Sequence, residues 1–96
     1  MAVYVDDSMI PLTRKHPRFG ERVLKMSHMV ADSTEELLSM AEAIGIDQKW
    51  IQSAGTYREH FDVCATKRKK AIELGAEQVS KKKLASIIRA RRRLDG

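Results

Sequence analysis

Six residues of the types that carry acid–base and metal chemistry, Asp6, Asp7, His28, Asp32, His60 and Asp62, stand at or near the ends of apolar runs of the chain. Carboxylate oxygens and imidazole nitrogens are hard donors. Three of them converging would hold a divalent metal able to activate water against a phosphodiester. Without a metal, His28 or His60 can serve as acid or base, since imidazole titrates near neutral pH. We take His28, Asp32, His60 and Asp62 as the candidate catalytic set. Their spacing, His28-x-x-x-Asp32 and His60-x-Asp62, is much less specific than a paired CxxC or an HExxH motif. Each also has a plainer explanation: a histidine among apolar neighbours is usually a hydrogen-bonded core residue, and an aspartate after a strand usually pins a turn.

The elements that must position these groups follow from periodicity. Residues 1–5 read as a buried strand containing the β-formers Val3, Tyr4 and Val5, closed by Asp6 and Asp7. Residues 8–22 contain Pro11, Pro17 and Gly20 with Arg14, Lys15, His16, Arg18 and Arg22, which predicts a long basic connection, either a flap over a site or plain disorder, with Phe19 as its candidate anchor on the core. Leu24, Met26, His28 and Val30 alternate with Lys25, Ser27 and Met29 as in a second strand. Ser33 and Glu36 form a capping-box pair, the stripe Leu37, Met40, Ala41 and Ile44 follows at helical spacing, and Gly45 is a natural stop. Asp47 to Gln52 suggests a short third strand, and residues 53–59 have turn composition. Asp62 is the expected N-cap of a helix running to Leu74, with Gly75 as its stop. On that helix Arg68 interrupts a stripe of small and apolar residues, so it needs an anionic partner: Asp6, Asp7, Asp32 or a bound phosphate. Residues 76–79 suggest a fourth strand, and Ser80 caps a last helix with Leu84, Ile87 and Ile88 turned inward. The expected fold is therefore α/β, β-β-α-β-α-β-α, with residues 1–80 as the core domain and 81–96 as a basic helix packed on it or extending from it.

Ninety-six residues with 43% apolar content make one domain with one core. One cysteine, Cys64, allows no intrachain disulfide, no stretch resembles a signal peptide, and no apolar run is long enough to cross a bilayer. A cytoplasmic protein is expected. The net charge of +5 hides a polarity along the chain: residues 1–66 hold 7 Lys/Arg and 10 Asp/Glu, whereas residues 67–96 hold 11 Lys/Arg and 3 Asp/Glu. Such a basic segment attracts phosphates, an anionic membrane surface or an acidic protein, or is simply a solvated face. Lys81, Lys82 and Lys83 open the last helix at the positive end of its dipole, where an external anion would relieve them. With Arg89, Arg92 and Arg93, and with Asp6, Asp7 and Arg68 from the core, they are the candidate ligand-binding residues.

The segments MAVYVDD, MSHMVADSTEEL with the following AEAIGI, HFD, and TKRKKAIELGAEQV together resemble a family of short phage and bacterial proteins, a domain of unknown function. The likeness covers most of residues 1–80. In that family the third motif usually reads His-Tyr-Asp, and here Phe61 replaces the tyrosine, so the hydroxyl is absent. The resemblance marks Asp6, Asp7, His28, Asp32, Glu36, His60, Asp62 and Arg68 as its polar positions and implies a phage or prophage accessory protein in a bacterial host. It implies no activity. Three readings follow from the residues. One is a phosphate-handling site with nucleic acid or a nucleotide as ligand and metal-assisted phosphodiester hydrolysis as its chemistry. Another is a module whose basic segment grips nucleic-acid backbone, with only five aromatics, of which Trp50, Tyr57 and Phe61 are not interleaved with the basic clusters for base stacking. The third is a non-enzymatic effector or inhibitor of a host protein complex.

Overall fold

A computed structural model of the chain describes residues 2–18 and 20–95, with the backbone alone at 14, 16, 22, 94 and 95. Its elements are β1 (Val3–Val5), β2 (Ile10–His16), β3 (Gly20–Ala31), α1 (Thr34–Ala43), a 3-10 turn (Gln48–Trp50), β4 (Phe61–Cys64), α2 (Ala65–Glu73), β5 (Glu77–Gln78) and α3 (Lys81–Asp95). The fold class is α/β, with a mixed five-stranded sheet and three helices.

The long strand β3 is the spine of the sheet. Met29 pairs with Val5 and with Phe61, and Met26 pairs with Ile10 and with Cys64, so β1 and β2 run along one edge of β3 while β4 takes the other. All three pair antiparallel to β3, and β5 adds parallel to β1 on its far side. Between the Val5–Met29 and Ile10–Met26 pairs the first chain advances five residues against three, so residues 6–9 bulge out of the ladder. Met9 takes φ 46° there, a left-handed conformation that such a bulge can demand.

Alternation along the strands gives the sheet two unlike faces. Val3, Val5, Met29, Ala31, Phe61 and Val63 point to one side, where Leu37 and Ala41 of α1, Ile44 and Ala71 of α2 complete a dry core. Tyr4, Asp6, His28, Val30 and Asp62 share the opposite face, and α3 crosses it, burying Leu84 beside the cavity that Val30 also lines. Three local features form as the sequence indicates. Ser33 caps α1 by accepting from the Glu36 N–H (3.2 Å) and donating to the Glu36 carboxylate (2.9 Å), Gly45 ends it at φ +84°, and the Ser80 hydroxyl accepts from Lys83 N at the start of α3 (3.0 Å).

Four expectations are corrected. Residues 8–22 are mostly strand: β2 and the first part of β3 form a hairpin, because pairing with β3 supplies the hydrogen bonds that local periodicity does not predict. Pro11 is tolerated because β2 is an edge strand; the anchoring expected of Phe19 lies outside the described residues. The segment around Trp50 is a 3-10 turn capped by Asp47, whose side chain accepts from Lys49 N (3.0 Å), and Trp50 is exposed. Asp62 is not a helix cap. It lies within β4, where the alternate burial of Phe61 and Val63 and pairing to the central strand outweigh its capping propensity, and α2 starts at Ala65. Among the described residues Arg68 finds no carboxylate: its Nε donates to the Asp6 carbonyl (2.8 Å) and its Nη2 to Gln78 Oε1 (3.4 Å), which ties α2 to the bulge and to β5.

Helix α3 is fastened by a buried ion pair that the basic composition conceals. Glu59 is 1% exposed and accepts from Thr34 Oγ1, Gly55 N and both terminal nitrogens of Arg91, at 3.3 and 3.4 Å. Arg91 also donates to the Ala31 carbonyl (3.2 Å), joining α3, the 53–60 loop and the end of β3. Removing one partner of a buried pair leaves the other charge uncompensated. We expect Arg91→Ala to lower the unfolding free energy by about 3 kcal/mol and Arg93→Ala, at an exposed site, to stay within about 0.5 kcal/mol, both read from urea titrations; equal losses would mean that water solvates Glu59 freely.

Candidate functional site

The bulge after β1 builds the site. Asp6, at 0% exposure, folds its carboxylate back over the ladder, where Oδ1 accepts from His28 N (2.9 Å), Ser8 Oγ (2.8 Å) and Ser8 N (3.3 Å). Its Oδ2 lies 2.8 Å from His28 Nδ1. Burial pushes the Asp6 pKa up, yet the hydrogen bonds from the His28 backbone and ring and from Ser8 outweigh it, and the carboxyl is held below its ordinary value of 3.8. An ionised carboxylate only accepts, so Nδ1 of His28 carries a proton and Nε2 of the neutral ring is bare.

His60 is oriented in the same sense by a different group. Its Nδ1 lies 2.8 Å from the Arg58 carbonyl, which can only accept, so its Nε2 is also left free. Both free nitrogens approach one oxygen, Asp62 Oδ1, at 3.6 Å from His60 and 4.0 Å from His28. The rings stand edge to face with centroids 5.7 Å apart. Gln52 Nε2 donates to the other Asp62 oxygen (2.6 Å) and fixes that carboxylate.

The two imidazoles open into a cavity of about 430 Å³ between the sheet and α3. Val30 and Asp6 belong to its floor, Ser53 and Arg58 to the loop side, and Lys81, Leu84, Ala85 and Ile88 to the helix. Two fixed cations, two imidazoles and an apolar wall describe a pocket for an anion attached to an apolar or aromatic body. Asp62 lies outside that lining and borders the neighbouring grooves.

The candidate catalytic residues thus divide. His28, His60 and Asp62 come together, because the His28–Asp62 register pair sets them on one face. Asp32 does not join them: its carboxylate accepts from Ala2 N (2.8 Å) and Tyr4 Oη (3.0 Å), about 13 Å along the strand direction from His28. Burial, reinforced by that bond to Asp32, raises the Tyr4 pKa. Of the ligand-binding candidates, Asp6 orients His28, and Asp7 Oδ1 accepts from Lys81 N (3.1 Å), so the anion expected at the start of α3 is supplied by the chain itself. Lys81 lines the cavity, while Lys82, Lys83, Arg89 and Arg93 are exposed on α3 and Arg92 stands over the Tyr57 ring at 5.7 Å. Among the described residues, no three His, Cys, Asp or Glu side chains are placed as they stand to hold a metal ion together. Ser8, Glu59 and Arg58 went unnoticed in the sequence: Ser8 acquires its role from the bulge and Glu59 from partners in other segments, while Arg58 acts through its carbonyl on His60 and its Nε on Tyr57, contacts that no sequence pattern marks.

The chain matches the family described as Protein of unknown function (DUF4031) over residues 3–91. It belongs to this family. No curated protein and no solved structure matched it. Among the described residues, no helix is long and apolar enough to cross a membrane.

A carboxylate whose folded pKa is depressed contributes stability that is complete above the unfolded value and lost as pH falls through the folded one. Unfolding free energy should therefore drop as pH is lowered from 5 to below 3.8. Asp6→Asn should cost about 2 kcal/mol at pH 7, the scale of hydrogen bonds to a charged group, and flatten that acid limb. Nitrogen-15 chemical shifts should report neutral His28 protonated at Nδ1; a ring protonated at Nε2 would contradict the geometry of the pair.

Proposed function

We propose that this protein binds a phosphate-bearing ligand, a nucleotide or a nucleic acid, in the cavity between the His28 face of the sheet and α3. The observation that carries the reading is the lining of one cavity by Arg58, Lys81, His28 and His60 against Val30, Leu84 and Ile88. The cations and imidazoles suit phosphate oxygens, and the apolar wall suits a base or sugar. The exposed Lys82, Lys83, Arg89 and Arg93 extend the positive field along α3, which favours a polyanion and makes its binding salt-dependent. The setting we infer, from the family resemblance alone, is a phage or prophage accessory protein at work in the bacterial cytoplasm.

A second reading, an effector that binds a host protein, draws on the β2–β3 hairpin, where Ile10 and Leu12 share a groove with His28 and Asp62. Ile10 and Leu12 on one face of the hairpin and Trp50 beside it are exposed large apolar side chains. A groove of about 380 Å³ runs among Leu12, Leu24, Met26 and Trp50. Apolar patches of this kind mark interaction surfaces.

Fluorescence anisotropy with mononucleotides and with short single- and double-stranded DNA and RNA, at low and moderate salt, separates the two. We expect binding that weakens as salt rises, and a loss of about tenfold for Arg58→Ala and for Lys81→Ala, the scale of one charge-assisted hydrogen bond. Absence of binding at low salt would overturn the phosphate reading and leave the apolar hairpin as the surface to pursue.

A further inference from the structure

The geometry points to an activity for the histidine pair: metal-free transesterification of a ribonucleotide phosphodiester, with His28 as general base, His60 as general acid and the substrate's own 2′-hydroxyl as nucleophile. The inference deepens the phosphate-binding reading and rests on it.

Three features converge on this chemistry. Each imidazole has its Nδ1 committed, His28 to Asp6 and His60 to the Arg58 carbonyl, and both residues line one cavity while their Nε2 atoms approach the same Asp62 Oδ1 at 4.0 and 3.6 Å. The two differ in their support. His28 is backed by a fully buried carboxylate that fixes the bare-Nε2 tautomer of a base and stabilises the imidazolium formed when it takes a proton. Nε2 of His60 has Asp62 Oδ1 at 3.6 Å, and Gln52 holds that carboxylate, so a protonated ring at this position has a fixed counter-charge. Lys81 and Arg58, whose Nε donates to Tyr57 Oη (3.1 Å), line the same cavity and would meet the non-bridging phosphate oxygens, where charge grows in the transition state.

The nucleophile is the deciding point. Ser8 Oγ, 3.3 Å from His28 Nδ1, donates to Asp6 Oδ1 at 2.8 Å and is occupied in holding that carboxylate. Ser53 lines the cavity from the loop side, so its hydroxyl is the protein alternative that the 2′-deoxy strand tests. Cys64 borders a different groove, shared with Lys67 and Trp50. A ribose 2′-hydroxyl adjacent to the scissile phosphate meets the need, because it arrives already positioned for attack. In the step, His28 Nε2 takes the 2′-hydroxyl proton as the O2′–P bond forms, and the P–O5′ bond breaks as His60 Nε2 gives its proton to O5′. The products are a 2′,3′-cyclic phosphate and a free 5′-hydroxyl. His28 ends protonated and His60 neutral, and exchange with water restores both.

The charged and polar groups facing the pair are Asp6 and Ser8 from the bulge, Asp62 from β4, Gln52, Ser53 and Arg58 from the intervening loop and Lys81 from α3. The test uses the full chain, a short 5′-labelled single-stranded RNA and its 2′-deoxy counterpart, all in excess EDTA between pH 5 and 9. Anisotropy follows binding, and a gel resolves cyclic-phosphate ends. The expected result is that both strands bind, only the RNA is cut, and the rate follows a bell-shaped pH profile. His28→Ala and His60→Ala should each lose about 100-fold or more in rate at saturating RNA, as for removal of a general acid or base, whatever either change does to affinity. RNA that binds but stays intact at every pH would overturn this inference and leave the binding reading standing. So would equal cutting of the deoxy strand, cutting that appears only when magnesium or manganese replaces EDTA, or a rate unchanged in both histidine variants. Failure of both strands to bind would remove the binding reading as well.

Discussion

A carboxylate shut off from water must find hydrogen-bond donors or give up its charge, and the region around Asp6 is arranged by that requirement. The bulge carries Ser8 round so that its hydroxyl and N–H reach Oδ1, and the opposing strand offers the His28 N–H and ring. Arg68 takes the carbonyl of the same residue from the helix behind, so the bulged backbone is held as well as its side chain. Asp7, the next residue, bonds the first N–H of α3. One Asp-Asp pair thereby sets both the tautomer of His28 and the start of the helix that covers the cavity. A change that relaxed the bulge would disturb the imidazole and its roof together.

What could be read from the sequence is what short-range physics determines. The Ser33–Glu36 box, the apolar stripe after it and the Gly45 stop involve neighbours within a turn or two, and all form as read. The β2–β3 hairpin and β4 owe their existence to partners far along the chain. Phe61-Asp62-Val63 resembles a helix start until Met29 and Ser27 of β3 are opposite it. Asp32 shows the same limit from the other side. It lies near His28 in sequence and on the same face by alternation, but an extended chain separates the two by about 13 Å, while His60 and Asp62, more than thirty residues away in sequence, are brought beside His28 by the ladder.

The basic segment shows why composition alone misplaces charge. Arg91 belongs to a run of arginines that reads as a solvated or phosphate-seeking tail, yet it is the one that faces inward to Glu59 and pins the helix. Lys81, at the other end, is directed into the cavity wall. Between them Leu84 and Ile88 supply the apolar contact. The helix is thus a structural part of the domain over residues 81–91, and the cations left to solvent are those off this line.

The dry face of the sheet also determines where the chemistry sits. Met29, Phe61 and Val63 are fully buried beneath α1 and α2, and side chains on a strand alternate with a period of two. A slip of β4 against β3 by one residue would turn Phe61 and Val63 out to the cavity and drive His60 and Asp62 into the core, at the cost of several buried side chains and two unpaired polar groups. The register that keeps the core dry is therefore the one that places His60 and Asp62 beside His28. Because the imidazoles occupy the alternate positions, their mutual geometry is enforced by apolar burial on the far side of the sheet, and their Nε2 atoms converge on the one Asp62 oxygen.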